Sequence, residues 1–177
     1  MFTHMMAKIM TPAAVPIWTY ADPVDLTNNG ANDLTTVTLA SGLSGDDIQD
    51  IEVLVYEAST ATNDGQCVRL GDSGGFETTG YDCSVTSAGS SEYMDEGFFA
   101  EKDSAGSAAN VYNSVYRIMK FDGNIWMAVM SGTRVLGTTT RIGFGHKELT
   151  GELTQVQFTT SAGITTFDRG YARLRWR

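Results

Sequence analysis

All three prolines of this 177-residue chain, Pro12, Pro16 and Pro23, fall within the first 23 residues. Proline cannot donate to a sheet ladder, so the leader is restricted to extended or edge conformations, while the proline-free remainder is open to central strands. The leader also carries four of the eight methionines together with Ile17, Trp18 and Tyr20. That is more apolar surface than a segment left in water tolerates. The pattern predicts an extended N-terminal arm over residues 1–28 and a strand domain over 29–177, with the boundary near Asn28, Asn29 and Gly30. Ile17, Trp18 and Tyr20 are then the arm's contacts with a neighbouring subunit or another protein.

Past the boundary, period-two alternation and turn residues carry the reading. Leu34 to Leu39 alternates, Ser41 to Asp47 is a loop, and Asp50 to Glu57 puts Ile51, Val53 and Val55 on one face with Glu52, Leu54 and Tyr56 on the other. Asn63-Asp64-Gly65 reads as a hairpin turn, because Asn and Asp tolerate the positive φ such a connection needs. It hands the chain to Gln66–Leu70. Val111 to Phe121 is a long strand, Asp122-Gly123-Asn124 a second hairpin turn, and Ile125 to Met130 the return. Thr138 to Lys147 alternates around Ile142 and Phe144, with Gly143 and Gly145 where a facing layer comes close. Leu153 to Phe158 and Tyr171 to Arg177 complete the set; the last puts Tyr171, Arg173, Arg175 and Arg177 on one face and is expected at an exposed edge. Eight to ten strands, no convincing helix and short turns predict an all-β antiparallel sandwich, of jelly-roll type.

Residues 84–110 are the least regular, rich in Ser, Ala, Gly and acids, with Tyr93, Phe98 and Phe99 embedded in them. These three are the candidate binding aromatics: exposed they form a contact surface, buried they pin the loop. Trp126 could join Tyr93 and Phe98 in a sugar-stacking platform, although a Trp in an alternating strand is ordinarily core.

The net charge of −9 argues against nucleic acid, which requires a basic footprint. The charge is uneven: residues 22–103 hold 17 acids and 2 bases, residues 104–177 hold 4 acids and 9 bases. Interleaved strands from the two halves would turn this into pairing across the sheet; segregated halves would give oppositely charged sides suited to packing against copies. No run approaches the roughly 18 apolar residues of a membrane span, and Pro12 and Pro16 break any signal-peptide core, so synthesis in the cytosol is expected. Cys67 and Cys83 can pair or stay reduced in the core.

Gly71-Asp72-Ser73-Gly74-Gly75 matches the surroundings of a trypsin-like nucleophile, where backbone N–H groups form the oxyanion hole. Its partners are missing: only His4 precedes Ser73, His146 follows it in the wrong order, and a serine without a base is not activated. The string reads instead as a glycine-rich turn between strands. Adjacent acids such as Asp46 and Asp47 or Asp95 and Glu96 point apart on a strand and are solvated in loops, which is poor hydrolase geometry. Two distant histidines and two cysteines with 15 residues between them match no zinc spacing, and Asp46, Asp47 and Asp50 lack the glycine and spacing of a calcium loop. No metal or cofactor is expected.

Three stretches in order carry a resemblance: Gly42-Leu43 with Ile51 to Val55, Arg69 to Tyr81, and Val156 to Gly170 before a final strand. Together they resemble small β-sandwich virion proteins of tailed bacteriophages, of the tail-fibre type, over about residues 34–177. The resemblance implies a homotrimeric jelly-roll module shown on the virion, assembled in the host cytoplasm, meeting the host surface or its glycans and lacking catalytic residues. The last strand departs from that family in its arginines, Arg169, Arg173, Arg175 and Arg177. The expected function is non-enzymatic virion structure, with the arm anchoring to other virion proteins. The alternatives are a capsid-decorating protein and a free carbohydrate-binding module.

Overall fold

The structure, a computed structural model, describes residues 17–27, 36–44, 47–87, 89–101, 110–137 and 139–177. Residues 1–16 of the expected arm, the boundary at 28–30 and Asp46 lie outside them. Among the described residues the chain forms strands and no helix. In order they are β1 (Thr19–Tyr20), β2 (Val24–Asp25), β3 (Thr36–Ser41), β4 (Asp50–Thr60), β5 (Gln66–Asp72), β6 (Gly75–Phe76) and β7 (Asp82–Ser87). They continue with β8 (Ser90–Met94), β9 (Phe98–Phe99), β10 (Tyr112–Asp122), β11 (Ile125–Arg134), β12 (Thr140–Glu148), β13 (Gln155–Thr160) and β14 (Phe167–Trp176). A nine-stranded sheet runs β1-β14-β4-β10-β11-β12-β7-β8, with β2 also on β14; a five-stranded sheet runs β3-β13-β5-β6, with β9 also on β5. Every pairing is antiparallel, so the chain is the expected β-sandwich.

Alternation fixes which side of each strand meets the other sheet. Ile51 and Val53 of β4, Tyr116 and Ile118 of β10, and Trp126 and Met130 of β11 fill the inner side of the larger sheet. Val68, Leu70, Val156 and Phe158 face them from the smaller one. Phe158 ties the layers together, edge-on to Tyr116 at 6.2 Å and stacked on Phe167 at 5.0 Å. The turn at Gly123 forms as its residues require: its φ is 49° and Ile125 pairs back on Asp122.

Three elements differ from the expectation. The Asn63-Asp64-Gly65 turn is no hairpin, since β4 and β5 belong to different sheets. Asp64 is buried and its carboxylate accepts the Ser161 hydroxyl, so this corner is held to the turn after β13 while the chain crosses between layers. Residues 82–94 form a regular hairpin, β7–β8, where the sequence showed only an irregular stretch. Its outward positions are Ser, Thr and Asp and its inward ones include Cys83 and Val85, a weak alternation by hydropathy alone.

The third concerns β14, which is not an edge. It pairs with β4 on one side and with β1 and β2 on the other. Residues 19–25 of the expected arm therefore lie in the sandwich, and Leu26 beside them is fully buried. Trp18 and Tyr20 lie on the arginines of β14 and of the residue after it, with Arg175 at 4.5 Å and Arg177 at 4.7 Å over the Trp18 ring and Arg173 at 5.0 Å over Tyr20. Each such stack is worth about 0.5–1 kcal/mol where exposed. The change Leu26→Ala is expected to lower the urea unfolding free energy by about 2–5 kcal/mol, as for other fully buried leucines; a peripheral arm would give no measurable loss.

Candidate functional site

The larger sheet presents to solvent a face that is itself apolar in the middle. At the middle of β12, between the buried Arg141 and Lys147, the usual order is inverted, with glycine inward and large side chains outward. A Cβ on Gly143 would lie 2.8 Å from the Phe99 carbonyl oxygen, and one on Gly145 2.8 Å from that of Asp82. Only glycine lets the neighbouring backbone come this close. Ile142 and Phe144 occupy the alternate positions and so face water, Phe144 at 61% exposure.

Register converts these positions into rows across the strands. One row starts with Arg175, Glu52 and Arg117 on β14, β4 and β10. It continues through Val129 and Phe144 on β11 and β12 to Ser84 and Tyr93 on β7 and β8. The next runs from Arg173 through Leu54, Val115, Ser131 and Ile142 to Thr86. Each row is thus basic at the β14 side, aliphatic at the centre and aromatic or hydroxylic at the β8 side. Two shallow grooves cross the face. One, of about 450 Å³, lies between Tyr56, Asn113, Val115 and Thr133, and the other, of about 400 Å³, between Thr86, Ile142 and Phe144; Thr140 borders both. Contiguous exposed apolar surface of this kind marks a contact site.

Of the aromatics singled out from sequence, Tyr93 stands on this face, 65% exposed, its hydroxyl donating to the Tyr81 carbonyl at 3.3 Å. Phe98 and Phe99 are corrected to core: both are fully buried because β9 is drawn under the sheet to pair with Val68 and Cys67, and Phe98 meets Tyr81 edge-on at 5.0 Å. Trp126 is buried as well and forms no platform. Of the arm residues, Ile17 is exposed, whereas Trp18 and Tyr20 are engaged by their own chain's arginines. The face residues that sequence reasoning did not select are Tyr56, Val129, Ile142 and Phe144. Their signal was present: where both parities of a strand are apolar, one set must point away from the core.

The charge asymmetry resolves into pairing across strands. Arg175 bonds Glu52 and Arg169 bonds Glu57 from β14 to β4, and Arg177, just past β14, reaches Asp50 at 2.7 Å. His146 faces Asp82 at 3.7 Å on the outer side of the same sheet. Ser73 is exposed at the β5–β6 turn, and the acid beside it serves the turn: Asp72 accepts the Thr150 hydroxyl at 2.7 Å and the Gly74 N–H at 2.7 Å, which hold its carboxyl below the usual range. Cys67 and Cys83 are free and buried, and burial pushes their thiols up to about 12 and about 11. Among the described residues no three His, Cys, Asp or Glu side chains cluster as metal ligands.

A buried ion pair, Glu101 with Arg141, lies inside the sandwich. Glu101 is buried and receives Arg141 Nη1 at 2.9 Å, with the Arg141 guanidinium 5.1 Å over the Tyr112 ring. A cavity of about 10 Å³ between Glu101, Gln66, Tyr112, Ser114 and Tyr116 adjoins it. Burial outweighs the attraction of Arg141 and raises the Glu101 carboxyl to about 7.

No family model, curated protein or solved structure matches the chain.

The raised Glu101 carboxyl has a definite sign for stability. An unfolded glutamate releases its proton near pH 4.3, so between that value and about 7 the folded chain holds a proton the unfolded one has lost. This contribution is complete below the unfolded value and disappears as pH rises through about 7. The urea midpoint is expected to decline from about pH 5 to about pH 8, and the decline to flatten in Glu101→Gln; equal slopes in the two proteins would contradict it.

Proposed function

We propose that this chain is a non-enzymatic structural protein of a tailed-bacteriophage virion, of tail-fibre or receptor-binding type, acting through surface contact. The observation that carries the reading is the outer side of the nine-stranded sheet, where Tyr56, Tyr93, Ile142 and Phe144 stand exposed beside two grooves. A sandwich that has already buried a complete core has no folding reason to keep such side chains on its surface. The order of the three sequence stretches adds the phage resemblance and, with it, a sandwich of jelly-roll type and self-association. Residues 1–16 are left to attach the domain to other virion proteins, and the virion is the expected location.

The capsid-decorating reading shares all of this and differs in place. A carbohydrate-binding module is favoured by one feature, the neighbourhood of Tyr56 to Asn113, Thr133 and Thr140 in the larger groove, since an aromatic ring beside amide and hydroxyl groups suits a sugar.

Immunogold labelling of purified particles of the phage that encodes this chain separates the readings. Label at the tail tip or fibres is expected. Label over the shell would favour the decorating protein, and absence of label from particles would overturn the virion assignment. Deleting residues 1–16 is expected to leave the thermal unfolding midpoint unchanged and to abolish incorporation.

A further inference from the structure

We infer that the outer face of the nine-stranded sheet is a two-fold interface, which docks on the same face of a second copy of this chain. The inference rests on the reading of that face as a contact surface and names its partner.

The rows make the face complementary to itself. β11 lies at the centre, with β10, β4 and β14 on one side and β12, β7 and β8 on the other. A two-fold axis along β11 sets β10 over β12 of the second copy, and β12 over its β10. In the first row, Val129 meets its own equivalent and Arg117 falls over Phe144 of the second copy. In the next, Val115 falls over Ile142. Arg117 is exposed, and the nearest acid in its row, Glu52, is bonded to Arg175. A guanidinium in that state on an exposed phenyl ring is a cation–π contact, an attraction that strengthens as water is excluded from it. With the axis along β11 the two central strands run parallel, and the twist of each sheet turns the outer strands apart, so the contact is tightest at β10, β11 and β12.

Area and composition agree with such a pair. Seven strands from β14 to β8 at about 4.8 Å spacing, over about 20 Å of strand, give at most about 700 Å² per copy. A standard interface buries about 800 Å² per partner. The apolar centre of Val115, Val129, Ile142 and Phe144, flanked by Arg117, Arg173 and Tyr93, has the core and rim of an interface. A two-fold contact closes at two subunits, in contrast to the trimer that the phage resemblance implies.

Light scattering on the eluting full chain at about 50 µM tests the inference. The expected mass is twice the 19.1 kDa of one chain. Phe144→Lys places a lysine under Arg117 and should give monomers with an unchanged thermal midpoint, since position 144 is exposed; Arg117→Glu should weaken the dimer at least tenfold. Mixing the two single variants should restore a dimer containing one of each, as should joining both changes in one chain. A wild-type mass of one or three chains overturns the inference, and so does a dimer indifferent to Phe144→Lys or a mixture that stays monomeric. Labelling of particles together with a monomer or trimer would remove this interface and leave the virion reading standing, whereas a two-fold pair from a chain that no particle carries would do the reverse.

Discussion

The placement of the C-terminal strand between two early parts of the chain is the constraint on which the rest depends. β14 has β4 on one flank and β1 with β2 on the other. Neither flank forms until β14 itself is present, so the larger sheet is closed by pairings of long sequence separation, such as Arg175 to Glu52 and Arg175 to Tyr20. Such contacts carry a loop-closure cost before they return any stability, which makes the topology slow to fold. The opposite charges of the two halves favour the correct arrangement, because an arginine strand inserts beside an acidic one. Individually each surface ion pair is worth only about 0–1 kcal/mol, and their larger value lies in excluding other registers, where like charges would oppose each other.

That register also determines the outer face. Once β14, β4 and β10 are set, each outward side chain has a fixed row, and the inward glycines of β12 transfer bulk from the core side to the solvent side. Gly143 and Gly145 are packed beneath backbone carbonyls, so at the middle of β12 the bulk is carried outside, by Ile142 and Phe144, while Arg141 and Lys147 turn inward towards its ends. The apolar face is therefore built in by the same close approach that lets β9 run under the sheet.

The sequence made the strands with strong alternation legible, and the turn at Gly123 with them, because hydropathy period and turn chemistry agree there. It was less informative where the two disagree with location. The β7–β8 hairpin pairs through Ser, Thr and Asp, whose polarity hides a regular strand. The turn at Asp64 has hairpin residues and joins different sheets, since turn chemistry is local and sheet membership is not. Phe98 and Phe99 sit in a stretch of loop composition, and only tertiary pairing with Val68 and Cys67 takes them into the core. On the outer face, Tyr93 was singled out as a candidate contact aromatic and stands exposed, while Phe144 and Ile142 were visible as strand residues without a face assigned to them.

The capped β14 narrows the ways in which this sandwich can meet a partner. An open strand edge offers backbone groups to any other strand and so invites indiscriminate pairing. Here the basic strand that would have been that edge is covered by residues 19–25 of its own chain and stacked under Trp18 and Tyr20. The covering strands are two residues each, too short to template a further ladder. Recognition through side chains is thereby favoured over recognition through backbone. Side-chain recognition depends on the pattern of rows, so it discriminates between partners as a bare edge does not.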